Sequence, residues 1–362
     1  MVKHSGCTSC ESLPDAIPEA GTLYLAAPLR HTQESIARLM QEVGIAFEQP
    51  HGNILKVSFD QNGLPALLEW LDQRLTSNEC RETRTLLLRD GETLELSAFL
   101  RADRLATLVQ RTRSRWLVDV LAANALVAHF QPIISSQDPA DIYGYEVLTR
   151  GVAGDGQLIP LLRLYEAAVT ENLLYHLDRS ARIGAIKAAA QHGIASSVFV
   201  NFMPSSIYTP EFCLRSTIGA MRRTNLTPGQ IVFEVVETER VDDIAHLEGI
   251  LASYREQGFR VALDDLGVGF ASMQLLYSLR PDFVKLDRSL VQDVDTDLYK
   301  ATIASRLLDT ALSLGVDSVA EGVETEAEWR WLAANGATYQ QGFLFAHPAT
   351  PPPLPVQPSL TL

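Results

Sequence analysis

This sequence of 362 residues has few cysteines, no long apolar run and no excess of positive charge. It has only four cysteines, Cys7, Cys10, Cys80 and Cys213. They are too few and too scattered for a disulfide framework, so reduced thiols are expected. No stretch approaches the roughly 18 consecutive apolar residues of a membrane span, and the first residues lack the apolar segment of a signal peptide. These absences predict a cytoplasmic protein without membrane insertion.

Positive charge is scarce, because 30 lysines and arginines face 44 aspartates and glutamates and leave a formal net charge of −14. Broad binding to DNA or to an anionic membrane needs concentrated lysine and arginine, so the charge balance argues against both partners. Divalent cations are better suited as partners of a protein with this negative net charge. Apolar residues make up 46% of the chain and charged residues 20%, which is typical of a globular protein with a real core.

The first 20 residues are predicted to be an irregular leader, because they show little hydrophobic periodicity. Within it, His4, Cys7 and Cys10 form an H-x-x-C-x-x-C run. Either this run contributes to a zinc or redox site, with Cys80 or His31 as a further ligand, or it is an incidental set of thiols in a disordered leader. A second clear ligand pair, which four-ligand zinc sites usually have, is missing.

Residues 21–93 show the pattern of a small α/β domain, to which we assign a regulatory role. Strands are predicted at 22–28, 53–59 and 84–91, and helices at 31–43 and 64–75. Residues 94–114 are predicted to be a helical connector to a larger domain at 115–350. A helix predicted from Ser114 to Ala128 transmits a signal, forms a dimer face or packs in the core. The proline-rich tail at 351–362 cannot build a regular element.

From residue 129 onwards, short β runs alternate with amphipathic helices, a pattern that predicts an α/β domain. Eight such runs suit a closed barrel of parallel strands: 129–134, 142–148, 197–202, 231–237, 259–265, 283–287, 317–324 and 341–345. In a parallel β/α barrel the carboxyl ends of all strands face one mouth, where catalytic residues collect. Residues far apart in the sequence are therefore expected to converge there.

Polar residues recur at the carboxyl ends of these runs: Glu146, Asn201, Glu234, Glu237, Asp264, Asp265, Lys285, Asp287, Glu321, Glu324 and Gln341. One acidic residue after a strand is usually a helix cap or a solvated turn. Glu234 and Asp264, however, lie inside apolar runs, where an unpaired buried carboxylate is costly. The series therefore predicts a bound cation.

Hard oxygen donors of this kind suit Mg²⁺ or Mn²⁺, and zinc is disfavoured because no two histidines stand at ligand spacing. The adjacent Asp264 and Asp265 suggest one carboxylate that bridges two ions while its neighbour binds the second. Two-metal sites are typical of phosphoester cleavage. The residues alone thus predict a metal-dependent phosphohydrolase.

The residues Glu-Val-Leu-Thr-Arg at 146–150 resemble the signature of the EAL family, the cyclic di-GMP phosphodiesterases named after that motif, with Val147 in the place of alanine. Further matches follow in the family's order: FQPI at 130–133, VNF at 200–202, EVVET at 234–238, DDLGVGFAS at 264–272, VKLDRSLV at 284–291, AEGVET at 320–325 and QGFLF at 341–345. The resemblance covers roughly 115–350. It implies a modified TIM (β/α)8 barrel in which one strand, usually the first, is antiparallel, preceded here by the small N-terminal α/β domain.

The resemblance also implies roles for individual residues at the metal site. The ligands of the first ion are Glu146, Asn201, Glu234 and Asp264. Asp264 also bridges to the second ion, which Asp265 binds. Glu321 is similar to a family residue that reaches the second ion through water, and Lys285 to the group that orients or helps to deprotonate the attacking water.

Around these groups, the resemblance assigns a phosphate of the substrate to Arg150 and contacts with guanine or ribose to Gln131 and Gln341. Glu237 occupies the position that steadies the loop after Asp265. Glu324 and Asp287 are expected to support the site from behind the ligands.

The implied reaction is the attack of water on one phosphodiester, which opens cyclic di-GMP to linear pGpG with two Mg²⁺ or Mn²⁺ ions. The family commonly has Phe, Thr, Tyr and Ser where this chain has Leu266, Val268, Phe270 and Ala271. The loss of three hydroxyls predicts reduced activity or a stronger dependence on a homodimer formed through the barrel. Two alternatives to the enzyme are a catalytically weak or inactive receptor for cyclic di-GMP and a module that docks a partner protein.

Overall fold

The computed structural model describes residue 13 and residues 17–60, 63–204, 210–236, 244–267 and 272–356. The described residues belong to two compact units. The N-terminal unit lies within 12–122 and includes 166–173, and the barrel unit is formed by residues within 123–165 and 174–362. Across these ranges, no helix combines the length and the apolar character needed to span a bilayer.

The N-terminal unit contains an antiparallel sheet of five strands in the order β2-β3-β1-β4-β5. The strands are β1 (Gly21–Ala26), β2 (Glu48–His51), β3 (Ile54–Phe59), β4 (Arg84–Arg89) and β5 (Asp103–Arg104). The helices are α1 (Arg30–Glu42), α2 (Gly63–Asp72), α3 (Ser77–Glu82), α4 (Leu96–Phe99) and α5 (Leu105–Ala122). The predicted small α/β domain is confirmed.

The core of this unit forms on one face of the central strand. Leu23 and Leu25 of β1 are fully buried, as are Ile36 and Met40 of α1, which lie one helical turn apart. Helix α2 ends at Asp72, three residues before the predicted end at Leu75. The chain then starts α3, which the sequence pattern did not predict.

Helix α5 begins at Leu105, inside the predicted helical connector at 94–114 and before the predicted helix start at Ser114. It ends at Ala122 instead of the predicted Ala128, because residues 126–128 belong to a strand of the barrel. Its first turns pack Leu105 and Leu108 into the N-terminal core, where Cys80 is also buried. Burial and the nearby Asp72 raise the pKa of the Cys80 thiol to about 11, so Cys80 packs as a small apolar residue rather than serving as a ready metal ligand. His4, Cys7 and Cys10 lie outside the described residues.

The barrel unit closes eight strands into one ring, because β6 pairs with both β7 and β14. The ring strands are β6 (Leu126–Ser135), β7 (Ile142–Val152), β9 (Ser197–Phe202), β10 (Ile231–Val236), β11 (Arg260–Leu266), β12 (Phe283–Leu286), β13 (Asp317–Ala320) and β14 (Tyr339–Gln340), and the short β8 (Leu158–Ile159) pairs with β7 alone. The helices after β8 are α6 (Leu161–Glu171), whose residues from 166 onwards belong to the N-terminal unit, α7 (Leu174–Gln191), α8 (Pro210–Met221), α9 (Ile244–Glu256), α10 (Ser272–Leu279), α11 (Arg288–Val291), α12 (Leu298–Leu314) and α13 (Glu326–Ala334).

Strand β6 runs antiparallel to both of its neighbours, and the other seven strands are parallel. This confirms the barrel with one antiparallel strand that the resemblance implies and corrects the all-parallel barrel expected from the alternation of runs and helices. Side-chain periodicity is the same in both directions along a strand, so it cannot give strand direction. The short segment between β6 and β7 allows a hairpin but has no room for a crossover helix.

The last two strands are shorter than the predicted runs: β13 ends at Ala320, and β14 ends at Gln340 instead of covering 341–345. Gln341 is still held in line, since its N–H donates to Ala320 O at 2.9 Å and its carbonyl accepts from Val323 N at 3.0 Å. A Cβ at Gly342 would stand 2.0 Å from Val323 O, so only glycine permits this close approach.

Candidate active site

Six buried apolar side chains form one cluster inside the barrel: Ile133, Phe199, Val232, Ala262, Phe283 and Val319. Each stands two positions from a polar residue, and residues two apart in a strand point to the same face. The polar residues Gln131, Asn201, Glu234, Asp264, Lys285 and Glu321 therefore belong to the next layer, toward the carboxyl ends of the parallel strands. On the antiparallel β6 the polar residue precedes the apolar one, as its direction requires.

Lys285 lies at the centre of this polar layer with 1% of its side chain exposed. Its Nζ is 2.6 Å from Glu234 Oε1, 3.4 Å from Asp264 Oδ1 and 3.7 Å from Glu146 Oε2, and it also contacts Glu321. Four carboxylates, carried by β7, β10, β11 and the residue after β13, thus converge on one ammonium. The predicted convergence of distant segments is observed.

Amide side chains connect Glu146 to the antiparallel strand. Gln341 Nε2 donates to Glu146 Oε2 at 2.6 Å and to Gln131 Oε1 at 3.0 Å. Asn201 Nδ2 donates to Glu146 Oε1 at 3.4 Å. The three predicted amide residues and Glu146 therefore form one hydrogen-bonded group.

Asp264 and Asp265 would point to opposite faces of a regular strand, because successive side chains alternate. The pairing of β11 with β12 slips between Leu263 and Leu266, and Asp265 adopts φ +57°. This left-handed conformation costs an L-residue about 1–2 kcal/mol, although aspartate tolerates it better than most. It brings oxygens of Asp264, Asp265 and Glu321 within 4.8 Å of one another.

Burial has the largest single effect on the pKa values of the carboxyls and of the lysine in this cluster. It raises the pKa of the Glu234 and Glu321 carboxyls well above their ordinary values, although the Lys285 ammonium opposes the rise. Burial and the adjacent Asp264 raise the pKa of Asp265 to about 6. For Lys285, burial lowers the pKa but the surrounding carboxylates raise it more, so that it ends well above normal.

The donor set fits hard divalent cations. Five carboxylates, those of Glu146, Glu234, Asp264, Asp265 and Glu321, act on a single ammonium. Glu234 Oε2 is buried and has no hydrogen-bond partner among the described residues. Uncompensated buried negative charge is costly, and oxygen-only ligands are those preferred by Mg²⁺ and Mn²⁺.

The remaining predicted residues lie around this cluster. Arg150 is on β7 and donates to Thr149 O at 3.0 Å. Asp287 caps α11 by accepting from Ser289 N at 2.8 Å, and its charge raises the pKa of Asp265. Glu324 accepts from Arg288 at 2.7 Å. Glu237 and three of the altered loop positions, 268, 270 and 271, lie outside the described residues.

The sequence analysis did not predict two buried features of the barrel unit, Glu328 and the ion pair between Asp178 and Arg182. Glu328 accepts from three backbone N–H groups, at residues 293, 324 and 325, and the Thr325-x-x-Glu328 capping-box pattern could have revealed it. Asp178 and Arg182 form a buried ion pair on α7. Their spacing of one helical turn is the only sequence signal, and it is common on helix surfaces.

The fold and the site define a β/α-barrel protein with a buried cluster of carboxylates around one lysine. Residues 114–348 match the model of the EAL domain. This chain therefore belongs to the EAL domain family.

Two curated relatives come from Escherichia coli (strain K12). The chain is 32% identical to the probable cyclic di-GMP phosphodiesterase PdeG over 236 residues, and this alignment covers 62% of this chain and 45% of PdeG. It is 27% identical over 287 residues to the probable cyclic di-GMP phosphodiesterase PdeB, with 78% and 54% covered. The chain spans about half the length of these relatives.

Solved structures share the fold. A standalone versatile EAL protein from Vibrio cholerae O395, in its c-di-GMP bound form, is 34% identical with a TM-score of 0.56, covering 62% of this chain and 92% of that one. Klebsiella pneumoniae BlrP1, in a manganese and cyclic di-GMP complex, has a TM-score of 0.57 at 20% identity and covers 91% of this chain and 96% of that one. At that identity BlrP1 shows a likeness of fold.

Proposed function

We propose that this protein hydrolyses cyclic di-GMP to linear pGpG with the help of two Mg²⁺ or Mn²⁺ ions. The observation that carries the proposal is the buried group of carboxylates around Lys285, at the strand ends of an EAL domain barrel. The names of the relatives PdeG and PdeB and the c-di-GMP bound Vibrio cholerae structure support the choice of substrate.

We assign Glu146, Asn201, Glu234 and Asp264 to the first ion and Asp264 and Asp265 to the second, which Glu321 would reach through water. When bound, the two ions would neutralise charge on the scissile phosphate and activate the attacking water. The clustered oxygens of Asp264, Asp265 and Glu321 support the second assignment.

Lys285 acts on the attacking water as a hydrogen-bond donor. Its raised pKa keeps the ammonium protonated near neutral pH, and its contacts with Glu234 and Glu321 fix its direction. A fixed, desolvated positive charge near the reacting phosphate also stabilises the negative charge that develops in the transition state.

Binding of the rest of the substrate falls to Gln131, Gln341 and Arg150. Gln341 Oε1 is buried without a hydrogen-bond partner among the described residues, which supports a role as an acceptor for guanine or ribose together with Gln131. Arg150 supplies a planar guanidinium suited to a phosphate. The N-terminal unit is assigned a regulatory role, and a homodimer through the barrel is the proposed assembly.

One assay separates the enzyme from a receptor. The purified full chain is incubated with cyclic di-GMP and Mg²⁺ or Mn²⁺, with a matched sample in EDTA, and the products are separated by chromatography. We expect pGpG only in the presence of metal. Tight binding of cyclic di-GMP without pGpG after many hours would overturn the enzyme in favour of the receptor.

A further inference from the structure

Asp178 and Arg182 form an ion pair that is almost completely removed from solvent. Arg182 Nε donates to Asp178 Oδ2 at 2.9 Å, and a terminal guanidinium nitrogen lies 2.7 Å from the same oxygen. The Asp178 side chain is 1% exposed and that of Arg182 is 0% exposed. A buried ion pair is often no more stable than apolar side chains of the same volume. Its presence therefore calls for a reason other than stability.

The second carboxylate oxygen of Asp178, Oδ1, accepts a hydrogen bond from the backbone after β9. Met203 N donates to Asp178 Oδ1 at 3.0 Å. Met203 stands just past the last paired residue of β9, since the register with β10 ends at Phe202. The Arg182 guanidinium also lies 5.9 Å from the centre of the Phe202 ring. The ion pair thus contacts both residues that follow Asn201.

Arg182 is itself fixed by two further helices. It donates to the hydroxyl of Thr217 on α8 and, at 3.5 Å, to that of Tyr254 on α9. A guanidinium bound on several sides has little rotamer freedom, so Arg182 stays beside the Asp178 carboxylate, where the chain leaves β9, even when one of its hydroxyl partners is removed.

We propose that Asp178 is a positioning residue for the cation site. It holds the Met203 N–H, and this contact keeps the end of β9 in the place from which Asn201 reaches Glu146 at 3.4 Å. The inference rests on the proposed metal-dependent hydrolysis, in which Asn201 and Glu146 are ligands of the first ion. Loss of a group that orients a metal ligand typically costs roughly 10–100-fold in metal affinity or activity.

Two double variants of the full chain test this role. Asp178→Leu/Arg182→Met replaces the pair with apolar side chains and removes the acceptor for Met203 N–H. Asp178→Asn/Arg182→Gln also removes both charges but keeps an amide oxygen for that N–H. Thr217→Val is the control, because it removes a partner of Arg182 without touching the contact with Met203.

The measurements are the Kd of Mn²⁺ by calorimetry, the melting temperature without metal, and the kinetics with cyclic di-GMP. We expect the apolar variant to bind Mn²⁺ about tenfold more weakly and to lose kcat with little change in KM. The Asn/Gln variant and Thr217→Val should bind Mn²⁺ as the unmodified protein does, even where the melting temperature falls.

Three outcomes overturn this inference: an apolar variant that folds and binds Mn²⁺ normally, an Asn/Gln variant that folds but has lost affinity, or a Thr217→Val protein with the same loss of affinity as the apolar variant. The Asn/Gln variant keeps the test valid if the apolar one fails to fold. If the unmodified protein binds no Mn²⁺ and makes no pGpG, the proposed function fails instead, which is a distinguishable result.

Discussion

The ammonium of Lys285 lies 2.6 Å from a carboxylate oxygen of Glu234, and neither side chain is more than 1% exposed. Glu234 precedes the end of β10 and Lys285 lies within β12, so the two strands on either side of β11 meet at this contact. Three further carboxylates surround the same ammonium, so Lys285 supplies a fixed positive charge within a site suited to divalent ions. The first prediction follows from this position.

Replacing Lys285 by methionine should reduce turnover of cyclic di-GMP by about 100-fold or more, since a positioned proton donor or acceptor contributes on that order. The affinity for Mn²⁺ should stay the same or increase, because a positive charge next to the carboxylates is removed. Turnover and Mn²⁺ calorimetry measure the two effects. Lys187→Met, at an exposed position of α7, is the matched control. Weaker Mn²⁺ binding in Lys285→Met would contradict the assignment.

Replacing Glu146 by glutamine should abolish turnover, with a loss greater than the roughly 10–100-fold typical of groups behind the ligands. The change removes one negative charge. It also replaces one of the two carboxylate oxygens, which accept from Gln341 and Asn201, by an NH₂ group that cannot accept a hydrogen bond. Mn²⁺ affinity should fall in parallel. Glu248→Gln on the exposed face of α9 should leave both quantities unchanged. Near-normal turnover in Glu146→Gln would show that the site is misplaced.

The stability of the metal-free protein should fall as the pH rises from about 4 to about 6. Burial and Asp264 raise the pKa of Asp265 from its ordinary 3.8 to about 6, so in this window the folded state holds a proton that the unfolded state has lost. Mn²⁺ needs the ionised carboxylate, so the rise in melting temperature that it produces should grow over the same window.

Thermal unfolding across this range, with and without Mn²⁺, measures both effects. Asp265→Asn removes the titrating group, so its metal-free stability should vary less with pH. An equal pH dependence in Asp265→Asn and the unmodified chain would contradict the role given to this carboxylate.

Replacing Arg150 by lysine should raise the KM for cyclic di-GMP more than it changes kcat. Lysine keeps the charge but loses the planar fork that binds two phosphate oxygens at once. Steady-state kinetics separate the two parameters, and Arg163→Lys at an exposed site of α6 provides the control. A selective loss of kcat would instead place Arg150 at the reacting phosphate.

Most of the barrel could be predicted from sequence because hydrophobic periodicity marks where strands and helices lie. The carboxylates of the site were visible too, since Glu234 and Asp264 interrupt apolar runs. The direction of β6 could not be read from periodicity alone, because the pattern of a strand is the same in both directions. The left-handed turn at Asp265 was hidden as well, since it depends on a slip in the pairing of β11 with β12.

The sequence by itself determined the chemistry available to this protein: oxygen ligands, one lysine among carboxylates, and ordered motifs that resemble one family. Only the tertiary structure decided which of these groups meet. Closure of the ring between β6 and β14 brings Gln131 to Gln341, 210 positions away, and the core packing of α7 puts Asp178 against Met203. Such contacts join residues that are distant in sequence, and local patterns contain no information on those distances.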